Sequence, residues 1–366
     1  MPKYSPEEAQ FDWALAPGHL LQQELEQREL SQAQLAARTG LSAKHVNLVI
    51  KGNAPISADV AVSLEEILGG SAEFWLRAEA AYQAVQARRD RKLKLSEYVD
   101  WAKQFPLAEL VKHRVVKRTD SMEKVTEKLL RFFQVVSPAA FDKARLEPQA
   151  SFKRSQLLTI SRPNTAVWIR LAEQEAERVL ADTRPYDAEK LRAAVPSIVS
   201  LTRRDLAEGF RAAQQLLLNA GVVLVFVPHI DQTRISGYSG RFEKHPLIAL
   251  TGRYKYLDSF WFSLLHEIGH VLLHPKRTTF LELDVATDNL DQLETAANDF
   301  ASVAVIPKNR CQELVDAATV EAVTMLADEL NVAPFMLAGQ RAHLTKEWNG
   351  INAKLRARED IDKVLG

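Results

Sequence analysis

Two histidines and a glutamate at fixed spacing give the strongest chemical signal in the sequence. His266, Glu267 and His270 form an HExxH pattern. In an α-helix, residues four apart lie on one face about one turn apart, so both imidazoles can bind a single metal ion. Glu267 stands beside them, where a carboxylate can take a proton from water. The pattern predicts a hydrolytic zinc site; the alternative is a chance occurrence in a long helix.

A third ligand has to come from another position, and two residues compete for that role. His274 shares the helix face, but it is eight residues from His266, about 12 Å along the axis. Zinc–nitrogen bonds are about 2.1 Å, so one ion does not reach both ends of that span. Glu294, in a helix predicted over 292–304, completes a His2Glu set with an open fourth position. The competing interpretation makes Glu294 a surface acid.

Other residues near the motif are predicted to support the reaction. Asn298 lies one helical turn after Glu294 and can accept a hydrogen bond from a ligating imidazole. We expect an exposed sheet edge around Leu247–Leu250 to align an extended peptide substrate by strand addition. The sequence leaves open which side chain stabilises the oxyanion; the candidates are Tyr238, Arg241 and His343.

The elements that must position these residues are a small sheet and a buried helix. Val222–Val227 is a β-branched run that ends at a proline, and Ile235–Tyr238 and Leu247–Leu250 are also predicted strands. Apolar residues flank the HExxH motif on both sides, as expected for a buried helix. From Lys92 to Ala220 the pattern is mostly helical. It contains no glycine-rich loop that would indicate a nucleotide site.

Residues 17–90 contain the start and stop signals of about five short helices. Ser31 and Gln34 form a capping box, in which each side chain binds the other residue's backbone N–H group. That helix ends at Gly40, and Ser42 caps the next helix after a single intervening residue. Two short helices joined by a tight glycine turn inside a bundle are typical of a helix-turn-helix.

The exposed side of the second motif helix carries groups that the major groove of DNA can bind. Small, amide and cationic side chains suit base edges and phosphates. The predicted contacts are the cap Ser42 and then Ala43, Lys44, His45, Asn47 and Lys51. The alternative is a helical interaction module whose polar residues only face water. The net charge of −4 over residues 1–90 counts against strong non-specific DNA affinity, which depends on phosphate neutralisation.

The composition is that of an intracellular globular protein. A single hydrophobic core rarely serves 366 residues, so two or three domains are expected. Lysine and arginine balance aspartate and glutamate at 47 each, which excludes a polycationic coat for nucleic acid. The one cysteine, Cys311, excludes an internal disulfide framework and fits a cytoplasmic location. The longest apolar run has six residues, against about 20 for a membrane span.

These patterns predict an α+β chain in three parts. Residues 1–90 form an all-α helix-turn-helix bundle, 91–210 a helical linker or middle region, and 211–366 a small sheet with a zincin-like HExxH helix. A basic excess of +7 lies in residues 91–160, including Val111–Arg118. Such a stretch is either a solvated helix face or a phosphate contact.

The segment Pro17–Tyr82 resembles a HigA-type antitoxin domain of the Xre helix-turn-helix family. The resemblance rests on Gln32, Leu35 and Ala36, on Gly40-Leu41-Ser42, on Lys51-Gly52 and Ile56-Ser57, and on Phe74-Trp75. It implies binding to double-stranded operator DNA as a homodimer on an inverted repeat, with Gln32 near a phosphate. A separate toxin partner is implied for antitoxins of this type, but it cannot be inferred from this chain.

Residues from about 120 to 355 resemble the ImmA/IrrE family of zinc metallopeptidases, in the form fused behind an Xre-type domain. The supporting segments include Leu129–Val135, Trp168–Ala176, Asp258–His274, Glu294–Ala301 and Val305–Pro307. The resemblance implies Zn²⁺ ligands at His266, His270 and Glu294, a general base at Glu267, and a repressor or other regulatory protein as the substrate in a stress, phage or mobile-element response. Ala296 departs from the pattern, because relatives often have an acid there.

We therefore expect a DNA-binding regulator with a zinc-dependent endopeptidase domain. One alternative is an antitoxin-like regulator whose peptidase-like domain only senses metal or a ligand. Another is an antitoxin whose C-terminal half binds a toxin. An intact HExxH favours the enzyme, because a pure binding domain has no need of Glu267.

Overall fold

The structure, a computed structural model, describes residues 15–146, 161–180, 183–274, 279–283 and 292–366. The chain divides into two compact units, Met1–Asp100 and Trp101–Gly366. Residues 90 and 210, where the sequence predicts domain boundaries, both lie inside helices. The first unit therefore extends about ten residues beyond the predicted boundary, because its last helix continues without a linker.

The first unit is a bundle of helices, and serine caps begin most of them. Side-chain oxygens of Ser31, Ser42, Ser57 and Ser71 each accept a hydrogen bond from a backbone N–H group of the first turn. The capping box at Ser31 is confirmed. Leucine, valine and tryptophan side chains from all the helices meet in one core. The helices are α1 (Pro17–Gln27), α2 (Gln32–Thr39), α3 (Ala43–Ile50), α4 (Ala58–Leu68) and α5 (Ala72–Glu97).

The second unit begins with helices that precede the sheet. Trp168 on the longest of them is fully buried. The helices are α6 (Val99–Ala102), α7 (Leu107–Lys112), α8 (Met122–Phe132), α9 (Pro138–Phe141), α10 (Arg162–Val179), α11 (Ala188–Ser200) and α12 (Leu206–Asn219). α6 crosses the division between the units. α9 continues into a π-helical turn (Asp142–Leu146), and α11 continues into a 3₁₀ turn (Leu201–Arg203).

Four strands form the sheet of the second unit within the described residues. They are β1 (Val223–Phe226), β2 (Ile235–Phe242), β3 (His245–Leu250) and β4 (Thr279–Leu283), in the order β1-β3-β2-β4. β3 pairs parallel with β1 and antiparallel with β2, which pairs antiparallel with β4. The expectation of an exposed edge at Leu247–Leu250 is therefore wrong. Both sides of β3 are hydrogen-bonded, so β3 has no free edge for a substrate.

The two faces of the sheet support two different cores. Because side chains alternate between faces along a strand, neighbouring residues of β3 point in opposite directions. Ile248 and Leu250 join the core around the HExxH helix, α13 (Leu257–Leu273). Leu247 and Ala249 join the core that contains Trp168 of α10. The HExxH helix thus packs on one face only.

Helices after the sheet complete the second unit. They are α14 (Gln292–Val305), a 3₁₀ turn (Lys308–Arg310), α15 (Cys311–Asp316), α16 (Val320–Glu329), α17 (Pro334–Thr345), α18 (Gly350–Leu355) and α19 (Ile361–Leu365). The predicted α+β class is confirmed: a helical helix-turn-helix bundle, a helical middle region, and a small sheet followed by the HExxH helix. Among the described helices, none combines the length and apolarity needed to cross a membrane.

Candidate metal centre and DNA-binding surface

The HExxH helix α13 is buried along almost its whole length. Its apolar residues, including Leu264, Leu265 and Ile268, pack into the core on one face of the sheet. His266, Glu267 and His270 are at most 1% exposed. Burying three ionisable side chains is costly unless they are paired or bind a metal ion. Their burial in an apolar helix therefore points to a functional group of residues.

A glycine inside the motif allows α14 to approach α13 closely. A Cβ atom on Gly269 would lie 3.1 Å from Phe300 Cδ1 and 3.2 Å from Ala297 Cα, both on α14. Such distances are tighter than ordinary van der Waals contact, so a larger residue would push the helices apart. The close packing brings Glu294, in the first turn of α14, up to the two histidines.

The three side chains converge on one point. His266 Nε2 and His270 Nε2 lie 2.9 Å apart, and the Glu294 carboxylate oxygens lie 3.3 Å from His266 Nε2 and 3.5 Å from His270 Nε2. Ligands about 2.1 Å from a tetrahedral zinc ion are separated by roughly 3.4 Å. The donor set and its spacing therefore fit one zinc ion with three protein ligands.

Electrostatics place Glu294 and His270 in the protonation states that metal binding needs. Burial opposes ionisation of Glu294, but hydrogen bonds and charge interactions with His266 and His270 outweigh burial and lower its pKa to about 2. Burial, together with the neighbouring His266, lowers the pKa of His270. At neutral pH the group thus offers an ionised carboxylate and a neutral imidazole, the forms that coordinate a metal ion.

The remaining residues predicted near the metal group take different places. His266 Nδ1 lies 2.9 Å from Asn298 Oδ1, in position to donate a hydrogen bond to it. Such a contact fixes the orientation and tautomer of an imidazole whose other nitrogen binds a metal. His274 ends α13, and its Nε2 lies 3.3 Å from the Leu293 carbonyl oxygen. It is not part of the converging group, as helix geometry predicts.

The structure brings only one of the three oxyanion candidates near this region. Tyr238 is buried on the opposite face of the sheet from α13, with its ring against Trp168 at 6.4 Å. Arg241 is exposed near the end of β2 and donates to the Lys244 carbonyl oxygen. His343 of α17 lines a cavity that Asn298 also lines. Tyr238 was expected near the metal group but lies on the other face of the sheet. The sequence of a strand does not show which of its two faces packs against the helix.

Several residues of that cavity were not predicted from the sequence. Ser259 and Ser263 precede His266 by seven and three residues, so they continue the histidine face of α13 toward its start. That spacing is a signal that could have identified them. Gln340 reaches the same cavity from α17, and no sequence pattern links it to α13.

The first unit presents its predicted DNA-binding residues on and beside α3. Ser42 caps this helix through a hydrogen bond from the His45 N–H group. Val46 and Val49 face the core, so the polar side is turned outward. Asn47 Nδ2 donates to Gln32 Oε1 at 3.1 Å, which ties α3 to the start of α2. Ala43, Lys44 and Lys51 are exposed, and His45, Asn47 and Gln32 are half-buried.

Comparisons with known proteins agree with the division into two kinds of unit. Residues 21–75 match the helix-turn-helix family, and residues 220–338 match the M78 peptidase family, described as an IrrE N-terminal-like domain. Virulence-associated protein I of Dichelobacter nodosus is 32% identical over 80 residues, which cover 22% of this chain and 74% of that protein. An addiction module antidote protein of the HigA family from Coxiella burnetii is 29% identical, with 23% of this chain and 92% of that chain covered and a TM-score of 0.22.

The fold and the two matches define a helix-turn-helix DNA-binding protein with a peptidase domain. Residues 21–75 form an Xre-type helix-turn-helix domain, and residues 220–338 form an IrrE/ImmA-like M78 peptidase domain.

Proposed function

We propose that the protein is a DNA-binding transcriptional regulator whose second unit is a zinc-dependent endopeptidase. The observation that carries the proposal is the convergence of His266, His270 and Glu294, whose ligating atoms lie within 4.8 Å of one another. Glu267 follows the first of these residues on the same buried helix. A set of two histidines and one carboxylate leaves a fourth position open, which is typical of catalytic rather than structural zinc sites.

The residues around the metal group have distinct tasks in this proposal. His266, His270 and Glu294 would hold a zinc ion, which would supply a Lewis acid for the scissile carbonyl and for a water molecule. Glu267 takes the proton of the attacking water and later passes it to the leaving amine. Asn298 keeps the His266 ring in orientation. The apolar core around α13 keeps bulk water away, which strengthens electrostatic interactions in the site.

The substrate that fits this arrangement is a protein with regulatory function, such as a repressor, cleaved in the cytoplasm during a stress, phage or mobile-element response. The helix-turn-helix unit supports such a role because it brings the peptidase to DNA-bound proteins. We propose that a homodimer places two copies of α3 in successive major grooves of an inverted-repeat operator, with Lys44, His45 and Asn47 at base edges and Gln32 at a phosphate. A toxin partner, as in antitoxin systems, is an alternative partner of the same protein.

The deciding experiment changes Glu267 to Gln, which keeps the side-chain size and all three ligands. Zinc should stay near one ion per chain, while cleavage of a candidate repressor falls by about 10²-fold or more, as expected for loss of a general base. Metal analysis and a gel-based cleavage assay on the full chain give both values. Glu313→Gln, at an exposed acid, is the matched control and should change neither.

The competing function is a regulator whose second unit only senses metal. It predicts that wild type and Glu267→Gln bind zinc and DNA alike and that neither cleaves any target. That result would replace the peptidase with the sensor.

A further inference from the structure

A cavity of about 290 Å³ adjoins the candidate metal group. Ser259, Phe262 and Ser263 line it from the first two turns of α13, directly before His266. Asn298, which contacts His266 Nδ1, forms part of the opposite wall. The cavity therefore lies beside the metal group, next to the helical turn that carries His266.

Polar side chains with little exposed surface line this cavity. Ser236, Ser263 and Gln340 are 7%, 5% and 7% exposed. Their polar atoms are not among the fully enclosed atoms that lack a hydrogen-bond partner, so they are open to the cavity. A ligand that displaces water from the cavity has to pair with them, because an amide or hydroxyl that loses water without gaining a partner costs about 1–3 kcal/mol. The lining therefore favours a ligand that forms hydrogen bonds.

The charges around the cavity are already balanced. Asp258 lines it, but both of its carboxylate oxygens accept hydrogen bonds from Arg356, at 2.9 and 3.2 Å. The Arg356 guanidinium also stacks over the Tyr256 ring at 3.8 Å. Burial lowers the pKa of His343, which lines the same cavity, so its imidazole is neutral at pH 7. Among the described residues that line the cavity, no charged side chain is thus left without a counter-charge to attract a charged ligand.

Apolar and aromatic groups complete the walls. Phe262, Met336 and Trp348 can pack against an aliphatic stem. Gly339 lines the cavity with its backbone. A Cβ atom there would lie 2.8 Å from Asp258 Oδ2, too close for a larger residue without a shift of Asp258. The family match ends at residue 338, so the wall formed by Gly339, Gln340, His343 and Trp348 belongs to a part of the chain outside it.

We propose that this cavity is a substrate subsite that receives a carboxamide side chain, that of glutamine or asparagine. A carboxamide is neutral, donates and accepts hydrogen bonds at once, and can pair with the Gln340 amide and the serine hydroxyls together. Leucine would leave those groups unpaired, and glutamate would bring an uncompensated charge. The proposal rests on the peptidase function proposed above, because it assigns the cavity to that enzyme's substrate.

The test measures binding separately from cleavage. The full-length, zinc-loaded chain is titrated with N-acetyl-glutamine N-methylamide and with the leucine and glutamate counterparts, and binding is followed by ligand-observed NMR. We expect the glutamine probe to bind about tenfold more tightly than the other two, since unpaired buried groups penalise the wrong ligand. Gln340→Met, which keeps the side-chain size, should remove that preference. Gln312→Met, at an exposed glutamine, is the matched control and should keep it.

Equal binding of the three probes, or an unchanged preference in a folded Gln340→Met variant, would overturn the proposal. If Gln340→Met does not fold, Ser259→Leu decides, because Ser259 is half-buried and the larger side chain fills the cavity. Loss of glutamine binding in that variant supports the proposal, and retained binding overturns it.

A parallel assay with quenched peptides that carry glutamine, leucine or glutamate near the scissile bond reports on the peptidase itself. Selective binding of the glutamine probe without cleavage of any peptide counts against the peptidase function and leaves the selectivity of the cavity standing.

Discussion

The two units place their functional side chains in opposite environments. In the first unit, Lys44 on α3 and Lys51, directly after its end, are exposed to water, and the helix itself packs against a core. In the second unit, His266, Glu267 and His270 lie inside the protein at 1% exposure or less. The first unit presents charge to a large external partner, whereas the second keeps ionisable groups in a dry interior.

Because of this difference, function and fold stability are coupled in the second unit but not in the first. Exposed side chains contribute little to folding, so changing them alters binding alone. Buried ionisable groups must be satisfied by one another or by a ligand, so changing one of them affects both the site and the stability of the fold. We therefore expect substitutions in the first unit to change DNA binding alone, and substitutions in the second unit to change both the metal group and stability.

The largest effect is expected for Glu294→Ala, which removes the only carboxylate of the converging group. Zinc content should fall from about one ion per chain to near zero. The variant should also lose the stabilisation by bound metal, about 2.7 kcal/mol at a free zinc concentration 100 times the dissociation constant. Metal analysis and thermal unfolding with and without zinc measure both changes.

His274→Ala is the control for this prediction, because His274 lies on the same helix outside the group. It should retain zinc and most activity. An empty site in His274→Ala together with a full one in Glu294→Ala would reverse the ligand assignment.

An intermediate effect is expected in the first unit, without any change in metal content. Lys44→Ala should weaken operator binding and reduce the slope of log affinity against log salt concentration by about 1 if Lys44 contacts a phosphate. Asn47→Ala should instead cost about 1–3 kcal/mol at one base position, and it also breaks the hydrogen bond to Gln32. Operator titrations at several salt concentrations, with base-substituted operators, separate the two roles.

Uniform loss of affinity on every operator in Asn47→Ala would show that Asn47 does not read bases. A drop in zinc content in either variant would break the separation between the two units.

The smallest effect is expected for Ser42→Ala, which removes the cap of α3. Loss of a serine N-cap costs about 1 kcal/mol, so α3 should open more readily while its exposed side chains are unchanged. Amide hydrogen exchange of α3 in the full chain measures this change. Ser63→Ala, in the middle of α4, is the comparison and should be neutral or slightly stabilising, because alanine is the better helix former. Equal effects of the two substitutions would mean that the cap has no energetic role.

The local features of both units were predictable from the order of the residues alone. The capping box at Ser31, the cap at Ser42 and the burial of Val46 and Val49 follow from signals within one or two helical turns. Helix geometry also separated His274 from the converging group, because the rise per residue is fixed. These features were predictable because each depends on residues a few positions apart, whose relative placement a helix sets.

Which distant elements meet was not predictable from the sequence, because it depends on how the whole unit packs. The central position of β3, the pairing of β4 with β2 and the burial of Tyr238 on the face away from α13 depend on strand order, and strand order is set by contacts between segments far apart in the chain. A one-residue shift of a strand exchanges its two faces, so residue type alone does not fix the outcome. The cavity between Ser263 and Gln340 has the same origin, because packing of α17 against α13 creates it.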